Sequence, residues 1–384
     1  MPNDRMGEEP VRRIPGDPAE DQPQEGIALC LSGGGYRAML FHVGALWRLN
    51  EAQMLPKLER ISSVSGGSMT AGALALAWER LEFDANGFAL GFQKAFVEPV
   101  RQLAGKTMDV WAIVLGIFLP GSIGNWYARL MKRNLLGKAT LQDLPDRPRF
   151  VINATNLQSA VLWRFSKPYM RDYRVGEIKA PRTDLAVAVS ASGAFPPLLS
   201  PTTLRPDESD WTPGSGIDLQ QPPYTTSVDL ADGGVYDNLG LETAWKRYRT
   251  ILISDGGGRI GGRPEVQHDW VRQAMRVIGV IDSQVRALRK RQAIDGFKRG
   301  DRSGTYWGIR THIGDYGLPD ALPCPDDKTL ELARTPTRLK KMDSTRQERL
   351  INWGYAVCDA ALRKHVDQSL TPPAGFPYAG SGVG

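Results

Sequence analysis

The sequence predicts a single α/β domain, because three of its segments follow one pattern. Residues 26–52, 60–78 and 227–240 each read as an apolar strand that runs into small residues and then into a helix-like pattern. The 384-residue chain is long enough for two average domains. The segments interlock from the first strand to beyond residue 232, however, so residues 26–369 are read as one domain. Residues 1–25 are rich in Pro, Asp, Glu and Arg and lack an apolar run, which fits a disordered tail rather than a signal peptide or membrane anchor. Residues 370–384, rich in Pro and Gly, read as a flexible tail.

In the first segment, residues 26–31 form the buried strand and Ser32-Gly33-Gly34-Gly35-Tyr36-Arg37-Ala38 follows. Three consecutive glycines turn backbone N–H groups outward with no Cβ in the way. A helix over residues 38–52 adds its free N–H groups and the positive end of its dipole. The product is a pocket for negative charge: a phosphate that stays, or an oxyanion that exists only in a transition state.

The second segment, Arg60-Ile61-Ser62-Ser63-Val64-Ser65-Gly66-Gly67-Ser68, has the strand–turn–helix context of a nucleophile elbow. An elbow needs small residues two before and two after the nucleophile, where strand and helix approach closely. Ser65 has Ser63 and Gly67 there. Ser63 would have the bulky Ile61 before it, and Ser68 the β-branched Thr70 after it. Ser65 is the steric choice, and Gly66 adds one more N–H for an oxyanion. The departure from G-x-S-x-G is Ser63, small enough to keep the turn.

A serine hydroxyl needs a base. The chain has four histidines: His42 in the helix after the glycine loop, His268, His312 and His365. None lies in a loop with an evident orienting carboxylate, and His42 reads as a polar residue on a packed helix. The third segment offers a carboxylate instead. Asp232 sits at a strand end followed by Gly233 and Gly234, where another element can come close. An aspartate there can bond the serine hydroxyl directly and act as general base. Asp255, in Ser254-Asp255-Gly256-Gly257, is a rival with similar local sequence.

Taken together, Gly33-Gly34-Gly35-Tyr36-Arg37, Ser63-Val64-Ser65-Gly66-Gly67 and Asp232-Gly233-Gly234 resemble the motifs of the patatin-like phospholipases, with an echo of the cytosolic phospholipase A2 and fungal phospholipase B group. Residues 187–197 resemble the family's helix-to-Pro segment, and residues 305–309 are a further match. The likeness runs in order from about residue 27 to residue 255. It implies a three-layer fold with a central, mostly parallel sheet flanked by helices. It also implies lipid acyl hydrolysis by a Ser65–Asp232 dyad with no catalytic histidine, metal or cofactor, through an acyl-enzyme intermediate. The oxyanion hole would be Gly33, Gly34, Gly35 and Gly66. Arg37 matches the family's basic position, as a substrate-binding residue that holds the lipid phosphate or as one that orders the oxyanion loop. A cation is poorly placed at a helix N-terminus, so one of these roles has to justify it.

Composition narrows the setting. Three cysteines (Cys30, Cys324, Cys358) make no disulfide framework, and no C-x-x-C or H-E-x-x-H pattern suggests zinc. These features point to the cytoplasm, with peripheral membrane contact. The net charge of +6 suits an anionic membrane surface, and no nucleic-acid-binding signature accompanies it. The densest basic run, residues 286–299, reads as a solvated helix face. Residues 205–224 read as a surface insertion. The most apolar stretch, residues 110–120, is too short to span a bilayer. With Trp126, Tyr127, Lys132 and Arg133 after it, it reads either as a core helix or as a lid that touches lipid. Two other functions stay open: a nucleotide-binding module, since Gly33, Gly35 and Ala38 fit G-x-G-x-x-[GA], and a catalytically silent lipid-binding protein. The first leaves Ser65 and Asp232 unused; the complete dyad argues against the second.

Overall fold

The three strand–turn–helix segments become the centre of a ten-stranded sheet. The structure, a computed structural model, describes residues 23–108, 123–196, 199–266 and 268–384. Its strands are β1 (Gln24–Leu31), β2 (Leu58–Ser63), β3 (Arg149–Asn156), β4 (Val161–Phe165), β5 (Tyr169–Asp172), β6 (Gly176–Lys179), β7 (Thr202–Leu204), β8 (Val228–Asp232), β9 (Tyr248–Asp255) and β10 (Ser303–Gly308). The central strands run parallel in the order β10-β9-β1-β2-β3, and β4, β5 and β6 extend the sheet antiparallel.

The helices are α1 (Gly35–Glu51), α2 (Gly66–Ala77), α3 (Glu98–Ala104), α4 (Ile123–Met131), α5 (Leu185–Ser192), α6 (Gly234–Asp237), α7 (Glu242–Trp245), α8 (Trp270–Arg299), α9 (Asp326–Ala333) and α10 (Ser344–His365). Strand alternation sorts them into two layers. Leu29 and Leu31 of β1 join the large core with Leu40 and Val43 of α1, Leu74 of α2 and Val357 of α10. Ala28 and Cys30, on the other face, pack with Ala244 of α7 and Ala293 of α8. Helix α1 is buried nearly all round because α10 covers the side the sheet does not. The two helices meet backbone to backbone. A Cβ on Gly44 would strike the Ile351 carbonyl, and one on Gly354 would strike the Phe41 carbonyl.

One topological detail positions the site. The first half of β3 pairs with β2, ending at Ser63↔Ile152, and β2 then stops. The second half of the same edge is taken by β8, running antiparallel and ending at Asp232↔Ala154. The C-terminal ends of β2 and β8 therefore approach each other along one edge of β3. This is how residues 63 and 232, far apart in sequence, come to the same place.

Two sequence expectations come out differently. Residues 370–384, expected to be flexible, are docked: Asn352 Nδ2 donates to the carbonyls of Tyr378 (2.9 Å) and Gly382 (2.7 Å), and Val383 is buried. A single asparagine on α10 supplies the partners that Pro and Gly composition hides. The basic run 286–299 is only partly solvated. Arg286 pairs with Asp255 (3.3 Å), Arg289 with Glu242 (2.7 Å), and Lys290 lies 4.3 Å from the centre of the Tyr306 ring. Residues 205–224 do lie mostly at the surface. Thr212 N–H donates to Glu177 O (2.8 Å), which covers the open edge of β6.

Candidate active site

Ser65 is held in a conformation that few non-glycine residues adopt, φ 51° and ψ −114°. The turn is clamped from both sides. Val64 N–H donates to Leu31 O (3.0 Å) and Gly67 N–H to Ser32 O (3.1 Å), which ties the elbow to the end of β1. Gly66 and Gly67 are glycine for lack of room: a Cβ on either would collide with the backbone of Gly35 or of Leu31. Ser63 keeps the turn because its hydroxyl is accommodated, donating to Val151 O (3.4 Å) and accepting from Ser68 Oγ (3.0 Å). Ser68 lies 2.8 Å from Ser192, whose hydroxyl donates to Asn153 O (2.6 Å) and accepts from the Ser65 N–H (3.0 Å). Ser192, at the end of α5, thus fixes the amide of the elbow residue.

The Ser65 hydroxyl lies near enough to the Asp232 carboxylate to pull its pKa down. That carboxylate accepts from Gly234 N–H (2.7 Å), while the Asp232 backbone is pinned by Ala194 O (2.9 Å) and Thr155 Oγ1 (2.9 Å). Asp232 is only 3% exposed. Burial pushes its pKa up to about 7; the bond from Gly234 and the Ser65 hydroxyl pull down against it, and the charge of Asp282 adds to the rise. Asp255 is differently placed. Burial raises it, but Arg286, the Gly257 N–H and the Tyr306 hydroxyl (2.8 Å) outweigh that and hold it below the usual carboxylate range. It is committed to an ion pair rather than to a serine.

The glycine loop meets the elbow directly. Gly34 and Gly35 have φ of 145° and 60°, open to glycine and strained for other residues. The N–H groups of Gly34, Gly35 and Gly66, at the starts of α1 and α2, donate to no partner among the described residues. Gly33 differs from the expectation. Its N–H is consumed by Asn238 O (3.1 Å), and its missing Cβ makes room for the Asn238 side chain. The histidines lie elsewhere in hydrogen-bonding terms. His42 is buried, with Nε2 donating to Ser32 O (2.9 Å) and Nδ1 accepting from Ser254 Oγ (2.8 Å), and burial lowers its pKa to about 4. His312 pairs with Asp326 (2.9 Å) on the surface.

The family model for the patatin-like phospholipases matches residues 29–245, over half of the chain and inclusive of the glycine loop, Ser65 and Asp232. The chain belongs to the patatin-like phospholipase family. No curated protein sequence is significantly similar to it. Among solved structures, human GIVD cytosolic phospholipase A2 bound to methyl gamma-linolenyl fluorophosphonate and terbium chloride is 14% identical, with TM-score 0.52 over 88% of this chain and 58% of that one. The same human enzyme with the fluorophosphonate alone gives 13% identity and TM-score 0.50 over 88% and 57%. These likenesses concern the fold, and the chain spans less than two thirds of the human protein.

Within this patatin-like domain, Arg37 is nearly buried. Its Nε donates to Gly256 O (3.1 Å) and its Nη1 to Thr335 O (2.5 Å). Residues 110–120 lie outside the described residues. After them, Trp126 is exposed, whereas Tyr127 is buried against Gly193 and Met69, and the Asp232 charge acts on its hydroxyl. No helix among the described residues is long and apolar enough to cross a membrane. Sequence reading missed Ser192, Asn153 and Asn238. Residues 187–197 were the one signal toward Ser192, and they carried the family likeness without saying which atom mattered.

Proposed function

We propose that this family member is a lipid acyl hydrolase of phospholipase A or lysophospholipase type. In this reading Ser65 is the nucleophile, Asp232 the general base, and the N–H groups of Gly34, Gly35 and Gly66 the oxyanion hole. The observation that carries it is a strained elbow serine acting on a buried carboxylate whose pKa is pushed up to about 7, beside two helix N-termini. A base with that affinity takes a proton at neutral pH and can return it.

The steps balance within the dyad. As Ser65 Oγ attacks the ester carbonyl, its proton passes to Asp232, and the carbonyl electrons move onto oxygen. The oxyanion is held by amides already pointing at it, worth on the order of a hundredfold in rate per donor. Collapse expels the lysolipid or glycerol alkoxide, which takes the proton from Asp232 and leaves an acyl-Ser65. Water then gives a proton to Asp232 and its oxygen to the acyl carbon. Release of the fatty acid returns the proton to Ser65.

Arg37 is read here as ordering the glycine loop, since two of its nitrogens are engaged by backbone carbonyls. The dinucleotide reading of Gly33 and Gly35 is disfavoured by packing: Gly66 and Arg338 press against the backbone where a pyrophosphate would approach. A lid made by residues 110–133 and transient contact with a membrane surface belong to the same proposal, with Tyr127 beside the dyad in its favour.

The test has two parts. A fluorophosphonate probe is expected to label the wild-type protein at Ser65 and to leave Ser65→Ala unlabelled. A mass-spectrometric digest of mixed phospholipids is expected to show fatty-acid release by wild type only. Labelling at another serine, or equal release by Ser65→Ala, overturns the assignment; labelling without release from any lipid favours a lipid-binding protein.

A further inference from the structure

Outside the dyad lies a cationic cavity of about 620 Å³ lined by Arg37, Arg259, Arg310, Arg334 and Thr335 and by the loop of residues 258–262. Neither Ser65 nor Asp232 lines it. It lies behind the glycine loop, because Arg37 stands two residues after Gly35 and lies against Gly34 and Gly258.

Its walls hold donors that the protein leaves unused. Arg37 is 3% exposed and its Nη2 has no hydrogen-bond partner among the described residues; the same is true of Arg310 Nε and of Thr335 Oγ1, itself buried. These atoms are themselves closed to solvent, so they mark a wall short of acceptors, while the accessible surface is supplied by Arg259, Arg310 and Arg334. The charge balance agrees. Arg259, Arg310 and Arg334 form no ion pair among the described residues, and the charges that act on Arg310 are the cations Arg259, Arg334 and Arg286. Asp255, the carboxylate that acts on Arg37, is already bound by Arg286, Gly257 and Tyr306. Four guanidinium groups with one shared and occupied carboxylate suit planar, multidentate recognition of an anion with several oxygens. The glycine-rich backbone of residues 258–262 adds amides that can close on it.

We propose that this cavity binds a phosphate group carrying at least two negative charges, a phosphomonoester or a pyrophosphate. Occupancy ties the loop of residues 258–262 and the segment after Ala333 to the first turn of α1. Because Gly35 rests on the backbone of Arg338 and Tyr36 N–H donates to Arg338 O (3.3 Å), the same tie holds the glycine loop from behind. The site does not depend on Ser65 acting as a nucleophile.

The test uses the full chain carrying Ser65→Ala, so that no lipid is consumed, at fixed ionic strength. Inorganic pyrophosphate is titrated by calorimetry and by thermal shift. Flotation with phosphatidic acid vesicles is compared with flotation on phosphatidylcholine vesicles. Arg310→Gln and Arg334→Gln are each expected to weaken binding at least about tenfold, the loss of one charge-assisted bond. Arg263→Gln, one residue beyond this loop and off the cavity wall, is expected to leave it unchanged. Arg37→Gln is avoided as the sole variant because it also severs two bonds to the backbone. Pyrophosphate binding with a Tm rise of about 3 °C at a hundredfold excess over Kd, lost in both variants, supports a soluble phosphate ligand. Variant-sensitive flotation on phosphatidic acid alone supports a lipid headgroup. Absence of both, or an equal effect of Arg263→Gln, overturns the proposal, the latter by reducing it to diffuse charge.

Discussion

Ser65 and Asp232 each carry a cost that the proposed dyad accounts for. Ser65 sits at φ 51°, a conformation worth roughly 1–3 kcal/mol of strain, and Asp232 is a carboxyl kept out of water. The pKa of about 7 sets the sign of the pH dependence. In the proposed dyad the base works in its charged form, so kcat/KM on a soluble short-chain ester is expected to rise with unit slope through acid pH and to level off above pH 7. Stopped assays from pH 5 to 9 read this directly, and a plateau reached already at pH 5 would contradict it. Asp232→Asn removes the base and is expected to lose about 10²- to 10⁴-fold in kcat while still folding. His312→Gln, on a surface pair with Asp326, should leave the profile where it was. A profile that moves with His312 would point to a triad instead.

At the scale of elements, the elbow is a junction of four pieces, and its weakest-looking member is the most instructive. Ser192 accepts from the Ser65 N–H and donates to Asn153 O. Ser192→Ala strands both groups in the interior, so a stability loss of about 1–3 kcal/mol is expected, with kcat falling more than KM changes; urea unfolding and steady-state kinetics separate the two. The α1–α10 crossing gives a second case. Gly354→Val drives a branched side chain into the Phe41 carbonyl and should prevent the helices from meeting. Gly375→Ala, with nothing within 4 Å of its added Cβ, should stay within about 0.5 kcal/mol of wild type. These examples mark what the sequence discloses. The glycine turns and Ser65 were readable because their steric demands are local, and Asp232 because a strand end announces itself. Ser192, Asn238 and the engagement of the Gly33 amide were not, because their partners lie far along the chain and are brought near by strand pairing. The Ser63 departure from the elbow pattern became intelligible only when Ser68 and Val151 appeared around its hydroxyl.

Across the whole molecule, burial of ionisable groups links the site to stability. Asp232 and His42 are both enclosed, and their pKa values move in opposite directions. Asp232 rises from 3.8 to about 7. The folded state therefore binds a proton that the unfolded state does not between those values, and the group's contribution to stability is fully present below pH 4 and lost as pH rises to 7. His42 falls from 6.5 to about 4. There the unfolded state binds the extra proton, so stability is present above pH 6.5 and lost as pH drops toward 4. The two slopes, each about 1.4 kcal/mol per pH unit at most, oppose each other between pH 4 and 6.5 and flatten the wild-type curve. Comparison with Asp232→Asn isolates the carboxyl, since every other group is common to both proteins. The variant is expected to gain most over wild type at pH 7 and above, where the buried charge has been removed. That advantage should shrink by about 1.4 kcal/mol for each unit of acidification and be smallest near pH 4. Urea unfolding of both proteins at pH 8, 6.5, 5 and 4 measures it. A difference independent of pH would mean that Asp232 titrates as an ordinary surface carboxylate, and a base of that kind is too weak to take the Ser65 proton at neutral pH.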